Sequence, residues 1–253
     1  MKVSAFLFFS SFVFFYHSSL TGQESFTDQR TGVVISFDAS DNIFPRRWHR
    51  NKIKARVISL PQADRNRIIA SLEKAFSKYP ANILHKYLKT VFVLKKLEFF
   101  GLPYGGTYSK NNIYISSDDS LSTGTDFFVE SIFHHEFSSI LLKNYKCRFD
   151  ENAWKLLNPH DFVYGKGGIS AISDGTSSMV FDANLNKLGF LNKYSQSSIE
   201  EDINVFSQNL FCGNKSFWEI VDKFDIIRAK THLIIEFYNI INPVFTESYF
   251  RNL

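Results

Sequence analysis

The stretch TDFFVESIFHHEFSSILLKN, Thr125 to Asn144, constrains this chain more than any other. Val129, Phe133, Phe137 and Ile140 recur three or four residues apart, the spacing of one face of an α-helix. Phe128, Ile132, His135, Ser139 and Leu142 form a second stripe beside it. His135, Glu136 and Ser139 therefore face one side of a helix whose neighbouring side is apolar enough to need burial. Thr123 and Asp126 offer a capping box at its start. With 253 residues, 44% hydrophobic and 17% aromatic, the chain is long enough to bury this helix in one large domain or two small ones. Its 21% charged content argues against disorder.

The surrounding pattern is mixed. Asp64 to Tyr79 is an amphipathic helix between Pro61 and Pro80, and Asn82 to Leu88 is a short second one. VVISF (33–37), ARVISL (55–60), TVFVLKKL (90–97) and NIYIS (112–116) read as strands, the last two separated by the turn-rich Gly101 to Gly106. NIYIS is either a plain sheet strand or one that pairs with an extended peptide. Residues 147–196 look loop-rich, and the chain is helical from Ser197 onward. The expectation is an α+β domain: a small N-terminal sheet with helices, then a mostly helical C-terminal half, with a cleft between them. One domain is expected over 23–253, with subdomains meeting near residue 146.

Residues 1–22 read as an export signal: Lys2, an apolar run from Ala5 to Tyr16, and a small-residue exit at Ser18 to Gly22. The run is short for a bilayer span. A periplasmic or secreted protein without a membrane span is the expectation once this segment is removed. In an oxidising compartment Cys147 and Cys212 can pair, or they can remain buried thiols. The basic run FPRRWHRNKIK (44–54) reads as a solvated face, and no nucleic-acid partner is expected. The net charge of +4 favours no partner class.

His135-Glu136-Phe137-Ser138-Ser139 matches the zinc pattern H-E-x-x-H except in its last place. In that pattern two imidazoles a turn apart share one tetrahedral ion, and the glutamate reaches the metal-bound water. A serine hydroxyl is a poor zinc ligand, and His134 is rotated by about 100° on the helix. Further along, Ser197 or Ser198 can cap a helix with Glu200, Glu201 and Asp202 in its first turn. The same segment can instead present a glutamate to a histidine site.

HHEFSSILL (134–142), NAWKLLNP (152–159), GFLNKYSQSS (189–198) and EEDINVF (200–206) follow one another in an order that resembles the bacterial zinc-binding metallopeptidases of the glutamate-zincin type. The resemblance covers roughly residues 60–215. It implies a zincin-like fold, zinc as cofactor, His135 as a metal ligand, Glu136 as general base and Glu201 as a further ligand. Ser139 stands where the family has its second histidine, and Val205 where it has a second glutamate. His160 and Asp161, in the loop between motif segments, are candidates to compensate, and Tyr164 and Tyr194 to donate to an oxyanion. Two functions follow from the resemblance. One is a divergent metallopeptidase that hydrolyses peptides with metal-activated water. The other is an inactive pseudo-peptidase that binds a peptide or protein.

Overall fold

The structure is a computed structural model describing residues 24–50, 53–118 and 125–253. The expected signal and Thr123 of the capping box lie outside the described residues. In chain order the strands are β1 (Ser25–Thr27), β2 (Val34–Ser36), β3 (Arg56–Ile58), β4 (Thr90–Leu94), β5 (Lys96–Phe99), β6 (Leu102–Pro103), β7 (Gly106–Ser109) and β8 (Asn112–Ser116). Helices α1 (Gln62–Ser77) and α2 (Ala81–Tyr87) precede β4, and α3 (Thr125–Asn144) follows β8. The C-terminal half holds α4 (Glu151–Leu156), α5 (Gly168–Ser173), α6 (Ala183–Asn186), α7 (Ile199–Phe211), α8 (Lys215–Lys223), α9 (Asp225–Ile241) and α10 (Glu247–Arg251). The fold is mixed α+β. No described helix is long and apolar enough to cross a membrane.

Among the described residues five strands form a mixed sheet in the order β1-β2-β4-β8-β7, with β2, β4 and β8 parallel and an antiparallel strand at each edge. Strand alternation divides its faces. Ile35, Val91, Val93, Ile113 and Ile115 are fully buried in the main core, against α1 and α3. Phe92 and Tyr114 face the other way, stacked at 5.1 Å, and meet a second core of Phe44, Leu97 and Phe99 under the sheet β3-β5-β6.

TVFVLKKL is not one strand. It breaks at Lys95 into β4 and β5, which belong to different sheets. The apolar alternation runs through the break because Leu94 and Leu97 fill the second core as Val91 and Val93 fill the first. NIYIS is an interior strand, paired on both sides, so it has no free edge for a peptide. Among the described residues the edges of this sheet are β1 and β7.

The helix layer is held by a buried charge cluster. Glu130 of α3 accepts from Lys74 at 2.8 Å and from Lys78, and Lys78 also reaches the Phe211 carbonyl at 2.6 Å. Burial raises the Glu130 carboxyl, but His134 and the two lysines outweigh it and bring it down to about 2. A carboxyl lowered on folding adds stability above its unfolded value, and this is lost as pH falls through the folded one. The contribution should therefore fade between about pH 4.3 and pH 2. Glu130→Gln is expected to flatten the acid limb of stability by on the order of 2 kcal/mol, read from urea midpoints across that window. An unchanged limb would contradict the assignment.

Candidate functional site

α7 is buried along residues 202–211 and packs on α3. Ser198 caps it, its hydroxyl accepting from the Glu201 N–H at 3.1 Å. Glu201, Asn204 and Gln208 lie three and four residues apart, which places them on one face. That face meets the His135–Ser139 stripe of α3. The His135 ring has Nε2 2.8 Å from Glu201 Oε2 and Nδ1 2.9 Å from Gln208 Oε1. Asn204 donates to the Ser139 hydroxyl at 2.7 Å, and Ser138 donates to Ser207 at 3.0 Å beside it. The two helices thus close on each other through paired polar groups. Helical periodicity puts Asn204 and Gln208 on the Glu201 face, but an amide side chain in a helix carries no signal of its own for such a site.

Their surroundings shift both His135 and Glu136 toward their protonated forms. Burial alone pulls the His135 imidazole down, but the hydrogen bond to Glu201, the nearby carboxylates and Gln208 raise it to about 9. Burial raises the Glu136 carboxyl, and Glu201 and Glu200 add to this against the opposing His135, taking it to about 8. With no ion bound, both shifts favour an imidazolium and a carboxylic acid, so a metal would have to displace the His135 proton. An imidazolium has no lone pair for a metal, and a protonated carboxyl cannot take a proton from water.

The site opens into a cavity of about 300 Å³ lined by His135, Glu136 and Tyr194 together with Tyr104, Gly106, Phe128, Ile132 and Met179. Gly106 of β7 lies directly on α3: a Cβ there would collide with Ile132 and come within 3.0 Å of Glu136 Oε1. Tyr194 is hydrogen-bonded to Glu201, and burial followed by the Glu201 charge raises its hydroxyl far above the usual range. Gly168 packs against both, since a Cβ there would meet the Tyr194 hydroxyl and lie 2.7 Å from Glu201 Oε1. Tyr108 of β7 donates to Glu200 at 3.1 Å and so ties the edge strand to α7.

The other expected residues lie elsewhere. His160 is exposed on the surface beside Asp161, at 99% side-chain exposure, and does not supply a missing ligand. Tyr164 turns into the core and donates to Asp202 at 2.7 Å, so it is no oxyanion donor for this cavity. His134 is fully buried, with Nδ1 2.9 Å from the Tyr79 hydroxyl. Burial lowers it to about 4. Val205 lies in the main core and gives Glu201 no carboxylate neighbour. Cys147 and Cys212 are free thiols. Cys147 is exposed rather than buried, and Cys212 is partly buried.

Three of the four motif segments converge on a second buried cluster. Trp154 donates to Asp202 Oδ2 at 3.0 Å, Lys230 of α9 pairs with the same oxygen at 2.7 Å, and Phe190 lies 4.4 Å from the Lys230 nitrogen. Nothing near Lys230 in the sequence announces this partner.

The residues present do not fit a catalytic zinc. Such a site takes three protein ligands. Here His135 and Glu201 face each other at hydrogen-bond distance, and the third place holds a serine hydroxyl occupied by Asn204. Among the described residues no group of three or more histidine, cysteine, aspartate or glutamate side chains is arranged to hold a metal ion. No known protein-family profile and no curated protein matches the chain. A solved structure from Bacteroides caccae, named a "putative zinc-binding metallo-peptidase", overlays 75% of this chain and 73% of its own, with a TM-score of 0.44 and 15% sequence identity.

Proposed function

We propose that this chain is a metallopeptidase-like protein of zincin type that works without zinc, as a pseudo-peptidase that binds an extended peptide. The observation that carries this reading is the direct His135–Glu201 contact at 2.8 Å, with Ser139 held by Asn204 where a second imidazole would stand.

The peptide surface is the β7 edge. The Ser116 N–H bonds the Gly105 carbonyl at 2.8 Å, and antiparallel ladders alternate bonded and unbonded pairs. Gly106 and Tyr108 therefore turn their N–H and C=O groups away from β8. A peptide added there gains main-chain hydrogen bonds, and one of its side chains can enter the cavity, whose Phe128, Ile132 and Met179 suit an apolar group. Gln208 favours a second reading, the divergent metallopeptidase. Its carbonyl oxygen at Nδ1 is the support a metal-ligating histidine uses to aim Nε2 at an ion.

Peptides selected from a randomised library separate the two. Binding is expected to survive chelator and Glu136→Ala and to fall at least about tenfold in Gly106→Val, whose side chain meets Ile132, a loss of at least ~1.4 kcal/mol. Cleavage of bound peptides, abolished by chelator or by Glu136→Ala, would contradict the proposal and establish the second reading.

A further inference from the structure

The Asp202–Lys230 pair lies outside the cavity, and the proposed binding function does not use it. Both side chains are fully buried, with Nζ 2.7 Å from Oδ2. Three aromatic rings enclose the nitrogen, with centroids at 4.4 Å for Phe190, 4.9 Å for Trp154 and 5.9 Å for Phe206. Oδ2 accepts from Lys230, from the Tyr164 hydroxyl at 2.7 Å and from Trp154 Nε1 at 3.0 Å. Oδ1 of the same carboxyl is buried and, among the described residues, has no hydrogen-bond partner.

As an ion pair, this cluster is poorly satisfied. An ammonium carries three donors, and among the described residues Lys230 has one acceptor, Asp202. A carboxylate carries two acceptor oxygens, and here one receives every donor while the other receives none. Each buried, unpaired polar group costs free energy. Joining the two residues removes most of the deficit. Oδ1 departs with two of the three Nζ protons, leaving a carbonyl oxygen that keeps its Tyr164 and Trp154 donors and a single N–H facing the rings.

We propose that Lys230 and Asp202 condense into an intramolecular amide that covalently ties α9 to α7. One proton passes along the hydrogen bond from Nζ to Oδ2, giving an amine and a carboxylic acid. The amine lone pair forms the Nζ–Cγ bond, and the negative charge gathers on Oδ1. A second proton moves from the nitrogen, now bonded to Cγ, to Oδ1. The Oδ2 proton then passes to Oδ1 as the Cγ–Oδ1 bond breaks, water leaves, and Oδ2 becomes the carbonyl oxygen to which Tyr164 and Trp154 donate. The ammonium and carboxylate become an amide and one water, with no proton, oxidant or co-reactant drawn from outside. The enclosure keeps competing water from the acyl carbon, and the two reacting groups are held in contact by the fold.

The test is the mass of the natural chain, purified folded, then unfolded in denaturant and cut with a protease. The expected result is a branched fragment that contains both residue 202 and residue 230 and is lighter by one water than its two separate peptides. Lys230→Arg keeps the charge and cannot form this bond, so its peptides should appear separately at full mass. Two unlinked full-mass peptides from the natural chain would overturn the proposal, as would a water deficit located elsewhere. Failure of peptide binding at β7 would leave this result untouched.

Discussion

Replacing Lys230 with methionine is expected to cost roughly 3–5 kcal/mol of stability, measured by urea unfolding. The substitution fills much the same volume, so packing is a minor part of the loss. The larger part is the Asp202 carboxylate left without a cation at a site with no access to water. Burial already raises the Asp202 carboxyl and lowers the Lys230 ammonium, each toward its neutral form, and their contact, with the Tyr164 and Trp154 hydrogen bonds to Asp202, opposes this. A domain of ordinary stability has about 5–15 kcal/mol in total, so much of the chain would unfold under mild conditions. Lys230→Met combined with Asp202→Leu should recover a large share, because an apolar pair of similar volume often matches a buried ion pair. A double variant as unstable as the single one would show that the cluster contributes through packing and not through charge. If the amide forms, Lys230→Met also removes a covalent closure that limits the unfolded chain, which adds to the loss.

Under the proposed function, Ser139→His with Asn204→Ala is expected to create a zinc site where the natural chain has none. The histidine would stand four residues from His135 on the same helical face, and removing the Asn204 amide clears the group that now occupies the Ser139 hydroxyl. With His135 and Glu201 this completes three ligands, while Gln208 is already placed to support His135. Binding to the native state alone stabilises by about 2.7 kcal/mol when free zinc exceeds its dissociation constant a hundredfold. For a chain of this size that corresponds to a melting rise of roughly 5–10 °C. The natural chain should show no comparable rise. Equal shifts in the two proteins would mean that Ser139 is not what keeps zinc out.

Local patterns made the framework legible. The α3 stripes, the amphipathic α1 and the strands β4 and β8 each bury residues at the spacing their sequence shows. Errors arose where two segments distant in the chain decide the outcome. The break at Lys95 is invisible because both cores ask for the same alternation. NIYIS has the composition of any strand, and only its neighbours decide whether it is an edge. Tyr164 and Asp202 read as an accessory tyrosine and a first-turn acid, yet Tyr164 donates to Asp202, and Asp202 pairs with Lys230, 28 residues beyond it. At the candidate site the sequence supplied His135, Glu136, Ser139, Tyr194 and Glu201, which the fold brings together. It did not supply the protonation of the first two, which depends on burial and on Glu201 being in contact rather than merely nearby.

Elemental analysis of the natural chain, after dialysis against zinc and then against zinc-free buffer, addresses the site most directly. Closure of His135 onto Glu201 predicts zinc far below one ion per chain, unchanged by His135→Ala. Close to one ion per chain, lost on His135→Ala or Glu201→Ala, would contradict it.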